Sequence, residues 1–195
     1  MSLIILLFSC TRIQNDVPDS PYKFANEVSE TMNFVPLKPG EIKPDGWLYD
    51  WAVKAAHGIT GQLDKRAITF EKGWTGESFE ARGVKEEGTN WPLEQSAYWL
   101  DGLVRLAYIL DDSTLIRKAK SRLDPIVEGV LNGGPSFIYW RPKEQLNNYF
   151  DNWAHSHIGR AMVAYYLASG EPKVLEALLN VYRDYPLPEM SPYFY

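Results

Sequence analysis

The sequence predicts an all-α protein built from repeated helical hairpins, either an α/α solenoid or a closed α/α toroid. Two observations predict this class. Apolar residues recur three and four positions apart in long stretches that short breaks separate, which is the helical period. Two of these stretches also follow the same pattern, which predicts that the hairpins repeat along the chain.

The repeated pattern consists of a helix, a tight break and a second helix. LVRLAYILDDSTLIRKA and AMVAYYLASGEPKVLEA share it, and Ala107 aligns with Ala164 at the same offset that aligns Gly102 with Gly159. Each unit is therefore predicted to be an antiparallel helical hairpin. Such hairpins bury their apolar faces on one another, as in solenoids and closed toroids.

The first helix is predicted to begin near Asp45, after a proline-rich segment that permits only extended chain and turns. Its predicted buried face is amphipathic in the helical period and consists of Trp47, Leu48, Trp51, Ala52, Ala55, Ala56, Ile59 and Leu63. Residues 66–87 have no sustained period and are predicted to form a loop with at most a short strand or helical turn.

The two central helices have clear start signals. Asn90 is a candidate N-cap, Pro92 suits the first turn, and Glu94 suits the electropositive helix start. The next helix is expected from Thr114 to about Val130. The predicted buried residues of the two helices are Ala97, Leu100, Leu103, Val104, Ala107 and Leu110, then Leu115, Ala119, Leu123, Ile126 and Val130.

A helix from Tyr149 to Gly170 and a last one after Pro172 complete the pattern. The first of these carries two of the three histidines near its N-terminus, while its alanine-rich remainder indicates packing surface. The loop before it, beginning at Ser136, is predicted to expose Phe137, Tyr139 and Trp140.

Composition favours a folded protein that is rich in aromatic residues. Of the 195 residues, 45% are apolar and 14% aromatic, with 7 Trp and 12 Tyr, which argues against disorder. Flat rings with a polar edge are typical of carbohydrate grooves as well as of large helical cores. The net charge of −5 and the lack of a basic run argue against nucleic acid as a partner.

The N-terminus resembles the lipobox of bacterial lipoproteins. An apolar run from Leu3 to Phe8 leads to Cys10, which would be lipidated after cleavage. We therefore expect a lipoprotein-type signal segment at 1–10, a polar tether at 11–36 and the helical-hairpin domain at 37–195. The chain would be at the cell envelope, in the periplasm or on the outer-membrane surface, and would touch membrane only through this anchor. The alternative is an ordinary apolar N-terminus.

The candidate site consists of aromatic and titratable residues in the loops and first turns that precede the inner helices of a toroid. If these loops converge, their residues would line one concave mouth suited to a sugar. Those residues are Trp91, Glu94, Tyr139, Trp140, Asp151, Trp153, His155 and His157. The alternative is that the aromatic residues fill hairpin junctions and that the histidines are core residues.

Asp151 and His155 are one helical turn apart, so the carboxylate is expected to orient the imidazole. His157 lies on a different row, beside the small residues Ala154 and Ala161. With Cys10 as the single cysteine, this chain alone provides neither a disulfide nor a thiolate metal site.

Three helix phrases, PDGWLYDWAVKAAHGITGQLD, WPLEQSAYWLDGLVRLAYILDD and HIGRAMVAYYLASGEPKVLEAL, resemble the N-terminal part of the β-L-arabinofuranosidase-like glycoside hydrolases of families 127 and 146. The resemblance covers roughly residues 35 to 185. It implies a catalytic (α/α)6 barrel, secreted by bacteria that degrade plant glycans. It also implies that His157 contacts a sugar hydroxyl.

The nucleophile of that family is a cysteine thiolate held by zinc, with cysteine and glutamate ligands from a later part of the barrel. The resemblance therefore implies zinc in a longer parent protein, whereas this chain has only Cys10, which precedes the domain. Two explanations stay open: the chain is a piece of a longer protein, or it is a relative without the thiolate chemistry.

The leading expectation is a glycoside hydrolase, or an N-terminal piece of one, that acts on an oligosaccharide or polysaccharide containing arabinofuranose. The residues named above would position sugar rather than break the bond. An unsaturated glucuronyl hydrolase-type enzyme with Asp151 as acid and base is the first alternative. A non-catalytic glycan-binding lipoprotein that uses the aromatic mouth alone is the second.

Overall fold

All regular elements in the described part of the chain are helical. The computed structural model describes residues 37–76, 91–141, 143 and 149–183, and the side chains of residues 91 and 149–152 lie outside this description. The helices are α1 (Gly46–His57), α2 (Ile59–Gln62), α3 (Ile68–Lys72), α4 (Trp91–Leu110), α5 (Ser113–Leu131), α6 (Tyr149–Ser169) and α7 (Pro172–Arg183). A 3-10 turn, Leu63–Lys65, joins α2 to α3. The predicted all-α class is confirmed for these residues.

Several predicted features lie outside the described residues. They are the signal segment at 1–10 with its lipidation site Cys10, the tether at 11–36 and the candidate N-cap Asn90. The described residues belong to one compact unit, Pro36–Tyr195. Among them, no helix combines the length and the apolar character needed to cross a membrane.

The core lies between α4, α5, α6 and α7. Helix α4 packs along α6 and against α5, and α7 packs against both α5 and α6. The faces predicted for α4 and α5 are confirmed, because nearly all their members are buried and Leu110 alone is half-buried. The buried ones are Ala97, Leu100, Leu103, Val104, Ala107, Leu115, Ala119, Leu123, Ile126 and Val130.

The turn between α4 and α5 has clear local causes. Asp111 adopts a positive φ of 55°, a conformation that aspartate tolerates better than most residues. The Asp112 carboxylate then accepts hydrogen bonds from the backbone N–H groups of Thr114 at 2.8 Å and Leu115 at 3.1 Å. This N-cap satisfies two donors at the start of α5 and fixes where the helix begins.

The first predicted helix is interrupted, and half of its predicted buried face is exposed. The backbone leaves the helical region at Gly58, with φ −93° and ψ −141°, so α1 and α2 are separate. Only Ala52 and Ala56 of that face are buried, whereas Trp47 and Trp51 are 79% and 65% exposed. Helix α1 packs against α4, but no element in the described part of the chain covers the tryptophan side of its apolar face.

In the described part of the segment predicted as a loop, residues 66–76, there is one short helix, α3. It ends at Gly73, where an added Cβ would lie 2.1 Å from Ser96 Oγ of α4. The indole N–H of the buried Trp74 donates to the carbonyl of Leu93 at 3.1 Å. These contacts fix the segment against the N-terminal part of α4.

The aromatic residues of the loop after α5 are buried or half-buried rather than exposed. Phe137 and Ile138 have no exposed surface, and Tyr139 and Trp140 are half-buried. Tyr139 lies directly over two glycines, since a Cβ at Gly129 or Gly134 would come within 2.4 Å of its atoms. The prediction that this loop exposes its aromatic residues was therefore wrong.

Candidate functional site

A stripe of paired side chains runs along the contact between α4 and α6. Trp153 Nε1 donates to Glu94 Oε1 at 2.8 Å, the rings of Tyr98 and His157 lie 4.0 Å apart, and Arg160 contacts Asp101 at 3.1 Å. We call these six residues the α4–α6 stripe. The sequence offset is the same in all three pairs, so α4 and α6 run parallel and their N-termini lie at the same end.

His157 lies at the centre of the stripe between two aromatic rings. The Tyr98 ring meets it edge-on at an interplanar angle of 82°, and the Trp153 ring lies 5.0 Å away at 39°. The imidazole is 9% exposed, whereas Tyr98 and Trp153 are 47% and 39% exposed. The two outer rings therefore face solvent and hold a mostly buried histidine between them.

The hydrogen bonds around His157 define its neutral tautomer. The Ser156 hydroxyl donates its single proton to the Trp153 carbonyl at 2.7 Å, and its oxygen lies 2.7 Å from His157 Nδ1. Because that proton is already used, Nδ1–H must donate to Ser156 Oγ. Nε2 then carries the lone pair, and no described side chain hydrogen-bonds to it.

Burial lowers the pKa of His157 below its ordinary value, because the charged imidazolium loses hydration. The nearby Glu94 carboxylate and the Trp153 carbonyl oppose this effect but do not outweigh it. His157 is consequently neutral at pH 7, and Nε2 acts as a hydrogen-bond acceptor.

Glu94 places a negative charge at the start of α4, where the helix dipole favours it. One of its oxygens accepts the Trp153 indole N–H. A carboxylate has capacity for further donors on its two oxygens. The N-terminal end of the stripe therefore presents acceptors next to two exposed aromatic rings.

The other end of the stripe is an ion-pair network. Asp101 accepts from Arg105 at 2.7 Å within α4 and from Arg160 of α6 at 3.1 Å. The Arg160 side chain is 63% exposed and the Arg105 side chain 46% exposed, so these pairs contribute little stability in water. They do hold the Arg160 guanidinium close enough to His157 to act on it electrostatically.

The structure puts His155 in the core, away from the stripe. It is 3% exposed and stacks on Phe137 with ring centroids 5.6 Å apart. Its Nε2 accepts the Phe137 backbone N–H at 3.2 Å. This contact satisfies a buried backbone donor of the loop, and the predicted partner of His155, the Asp151 carboxylate, lies outside the described side chains.

Trp140 belongs to a second aromatic group. Its ring lies 5.0 Å from the Tyr139 ring and 6.2 Å from the Trp74 ring, edge-on in both cases. The structure therefore brings together Glu94, Trp153 and His157 of the predicted site, whereas Trp140 packs with Tyr139 and Trp74. The side chain of Trp91 lies outside the description.

Sequence reasoning missed Tyr98, Asp101 and Arg160. A signal was present: Tyr98 and Asp101 follow Glu94 at helical spacings of four and seven, and Arg160 follows Trp153 at seven. That spacing puts each set on one helix face. It does not say which two faces meet, which depends on the packing of α4 along α6.

The zinc implied by the family resemblance does not fit the residues in this part of the chain. Within residues 37–76, 91–141, 143 and 149–183, no three His, Cys, Asp or Glu side chains are grouped so as to hold a metal ion. The charged side chains of the stripe are instead paired with an indole or with guanidinium groups. No catalytic step through zinc follows from these residues.

Comparisons with known proteins do not assign the chain to a family. No protein-family model, no curated protein and no solved structure matches it. The chemistry of the α4–α6 stripe and the sequence resemblance are therefore the grounds for a functional proposal.

Proposed function

We propose that the α4–α6 stripe binds a sugar, and that the chain is part of a β-L-arabinofuranosidase-like glycoside hydrolase acting on arabinofuranose-containing glycans. The observation that carries the proposal is the arrangement of His157 between the exposed rings of Tyr98 and Trp153, beside the Glu94 carboxylate. The hairpins formed by α4 with α5 and α6 with α7 would belong to the wall of an (α/α)6 toroid.

Sugar chemistry matches these groups. The C–H faces of a sugar ring pack on aromatic rings, and its hydroxyls need acceptors and donors around the rim. The rings of Tyr98 and Trp153 supply the apolar faces. His157 Nε2 and Glu94 accept from hydroxyls, and Arg160 donates to them.

The stripe is suited to holding a sugar rather than to cleaving a glycosidic bond. Retaining and inverting hydrolases need two catalytic groups on opposite sides of the bond. In the stripe, Glu94 hydrogen-bonds an indole and Asp101 is paired with two arginines. The expected role is recognition, with a glycosidase's bond-breaking residues located elsewhere.

The test is titration of the purified chain with an oligosaccharide that ends in L-arabinofuranose, followed by calorimetry and by the Trp153 indole N–H signal in NMR. We expect saturable binding that Trp153→Ala weakens by about tenfold or more, since the substitution removes a stacking face worth about 1.4 kcal/mol. Trp47→Ala is the matched control, because Trp47 is an exposed tryptophan on α1.

Other results would contradict the proposal in distinct ways. Equal loss in both tryptophan variants would indicate nonspecific aromatic contact. Preference for an unsaturated uronate oligosaccharide, with turnover that Asp151→Asn abolishes, would favour the glucuronyl hydrolase-type alternative. Saturable arabinoside binding by a full-length parent that never hydrolyses the bond would favour a glycan-binding lipoprotein.

A further inference from the structure

An apolar groove lies between α1 and α4, on the opposite side of α1 from its solvated polar residues. Its volume is about 330 Å³. None of the described residues that line it is charged. The residues of the groove that matter here are Leu48, Trp51 and Ala55 of α1 and Gly102, Leu106 and Ile109 of α4.

The groove runs lengthwise between two antiparallel helices. Lys43, just before α1, donates to the Tyr108 carbonyl near the end of α4 at 3.2 Å. After α1, the Thr60 carbonyl accepts from Trp99 Nε1 in the middle of α4 at 2.8 Å. The groove is open above Gly102, because a Cβ there would meet only Thr60 Cγ2, at 3.9 Å.

A ridge of large apolar side chains lies along the edge of this groove. Trp47 and Trp51 are one helical turn apart, and Leu48 is three residues before Trp51, so all three lie on one side of α1. Leu48 is 42% exposed, and both tryptophans are more exposed than that. We call this ridge, together with Gly102, Leu106 and Ile109, the α1–α4 face.

The α1–α4 face is complementary to itself. A dimer with twofold symmetry uses the same patch on both copies, so that patch must carry both a protrusion and a recess. On α1 the groove-lining positions Pro44, Leu48, Trp51 and Ala55 are spaced symmetrically about the midpoint between Leu48 and Trp51. A twofold axis at that midpoint makes the two α1 helices antiparallel and places the ridge of each copy over the groove of the other.

The exposed area is that of a weak but specific interface. An aromatic side chain presents about 150–250 Å², so Trp47 and Trp51 together expose about 300 Å², and the whole face exposes about 500 Å². An apolar patch of about this size is at the upper end for a monomer. Two copies would bury about 1,000 Å² in total, the lower end of the range for specific protein–protein interfaces.

We propose that the α1–α4 face binds the same face of a second copy of this chain, with the two α1 helices antiparallel. Because none of the described residues lining the groove is charged, no like charges meet across the axis. The interface shares no residue with the α4–α6 stripe, so dimerisation and sugar binding succeed or fail independently. We expect a dissociation constant of roughly 10–100 μM from the small area.

The test is sedimentation equilibrium of the full chain at concentrations from about 1 μM to about 500 μM, a range that brackets this constant. The average mass should rise from that of one chain to that of two and then level off. Leu48→Glu should raise the dissociation constant at least tenfold, because each copy would bury a carboxylate against apolar surface.

Tyr49→Glu is the matched control. Tyr49 is the next residue on α1 and is 48% exposed, but it does not line the groove. The same charge at this position should leave the dissociation constant within about twofold of the wild-type value. Circular dichroism spectra of both variants check that they are folded.

A second variant changes the other wall of the groove. Gly102→Leu fills the open space above Gly102 from α4 and leaves the tryptophans in place. Leucine is a better helix former than glycine, so α4 should remain folded. This variant should also weaken the dimer at least tenfold.

Three results would overturn the proposal. The mass of a single chain at every concentration would mean that another segment or a different partner covers the face. Equal weakening by Tyr49→Glu and Leu48→Glu, or no weakening by Gly102→Leu, would place the contact elsewhere. Growth beyond two chains without a plateau would indicate nonspecific apolar association.

Discussion

The two ends of α6 use aromatic residues and polar partners in opposite ways. At its N-terminal end, Trp153 is 39% exposed and His157 presents Nε2 without a partner among the described side chains. At its C-terminal end, Tyr165 has no exposed surface, and its hydroxyl donates to Asp124 at 2.8 Å and accepts from Lys120 at 2.8 Å.

The difference indicates which end is structural. Around Tyr165 the charges are mutually satisfied, because Lys120 also pairs with Glu171 and Lys173 contacts both Asp124 and Glu171. Burial first, and then the hydrogen bond to Asp124, raise the pKa of Tyr165, so it remains a neutral donor. A satisfied network specifies packing, whereas exposed aromatic rings beside the Glu94 carboxylate leave capacity for a ligand.

The largest effect is expected at the C-terminal end. Tyr165→Ala should lower the free energy of unfolding by about 3–5 kcal/mol, because it removes a fully buried ring and leaves a cavity. Urea denaturation measures this loss. Tyr49→Ala, at a 48% exposed tyrosine on α1, is the control and should change stability by less than about 0.5 kcal/mol. A small loss in Tyr165→Ala would mean that the network is not a structural anchor.

Acidification should destabilise the two ends of α6 in different pH ranges. The folded-state pKa of His157 is below its ordinary 6.5, so the unfolded chain takes up a proton first and stability falls as pH decreases below about 6.5. Lys120 holds the pKa of Glu171 below its ordinary 4.5. The stability from that pair is therefore present above about 4.5 and is lost as pH falls through the folded-state value.

These two windows can be tested with two variants. His157→Gln should flatten the decline of the melting temperature that begins near pH 6.5, and Glu171→Gln should flatten only the decline below about 4.5. Melting curves from pH 8 to 3 measure both. If His157→Gln left the upper window unchanged, the buried, neutral state assigned to His157 would be wrong.

The smallest effect on stability is expected for Trp153→Phe, which keeps an aromatic ring but removes the indole N–H that bonds Glu94. Because this hydrogen bond is exposed, its loss should change stability by less than about 1 kcal/mol. Arabinoside affinity should still fall severalfold, because Glu94 loses its positioning contact. A stability loss as large as that of Tyr165→Ala would mean that the stripe is structural.

Sequence periodicity located the helices of the core well. The buried faces of α4 and α5 were predictable because residues three and four positions apart lie on the same face of a helix. The cap at Asp112 and the break at Gly170 also have local causes. The same reasoning was wrong for α1, because its pattern identifies an apolar face but not whether another element covers it. It was also wrong for Phe137, because a loop without a period gives no sign of burial.

For the candidate site, the sequence by itself determined that Trp153 and His157 lie one turn apart on α6 and that Glu94 begins α4. The tertiary structure decided the rest. Parallel packing of α4 along α6 joins Trp153 to Glu94 and His157 to Tyr98, and the buried loop takes His155 as the acceptor for Phe137. Helical spacing fixes neighbours within one helix, whereas contacts between helices depend on how their whole surfaces pack.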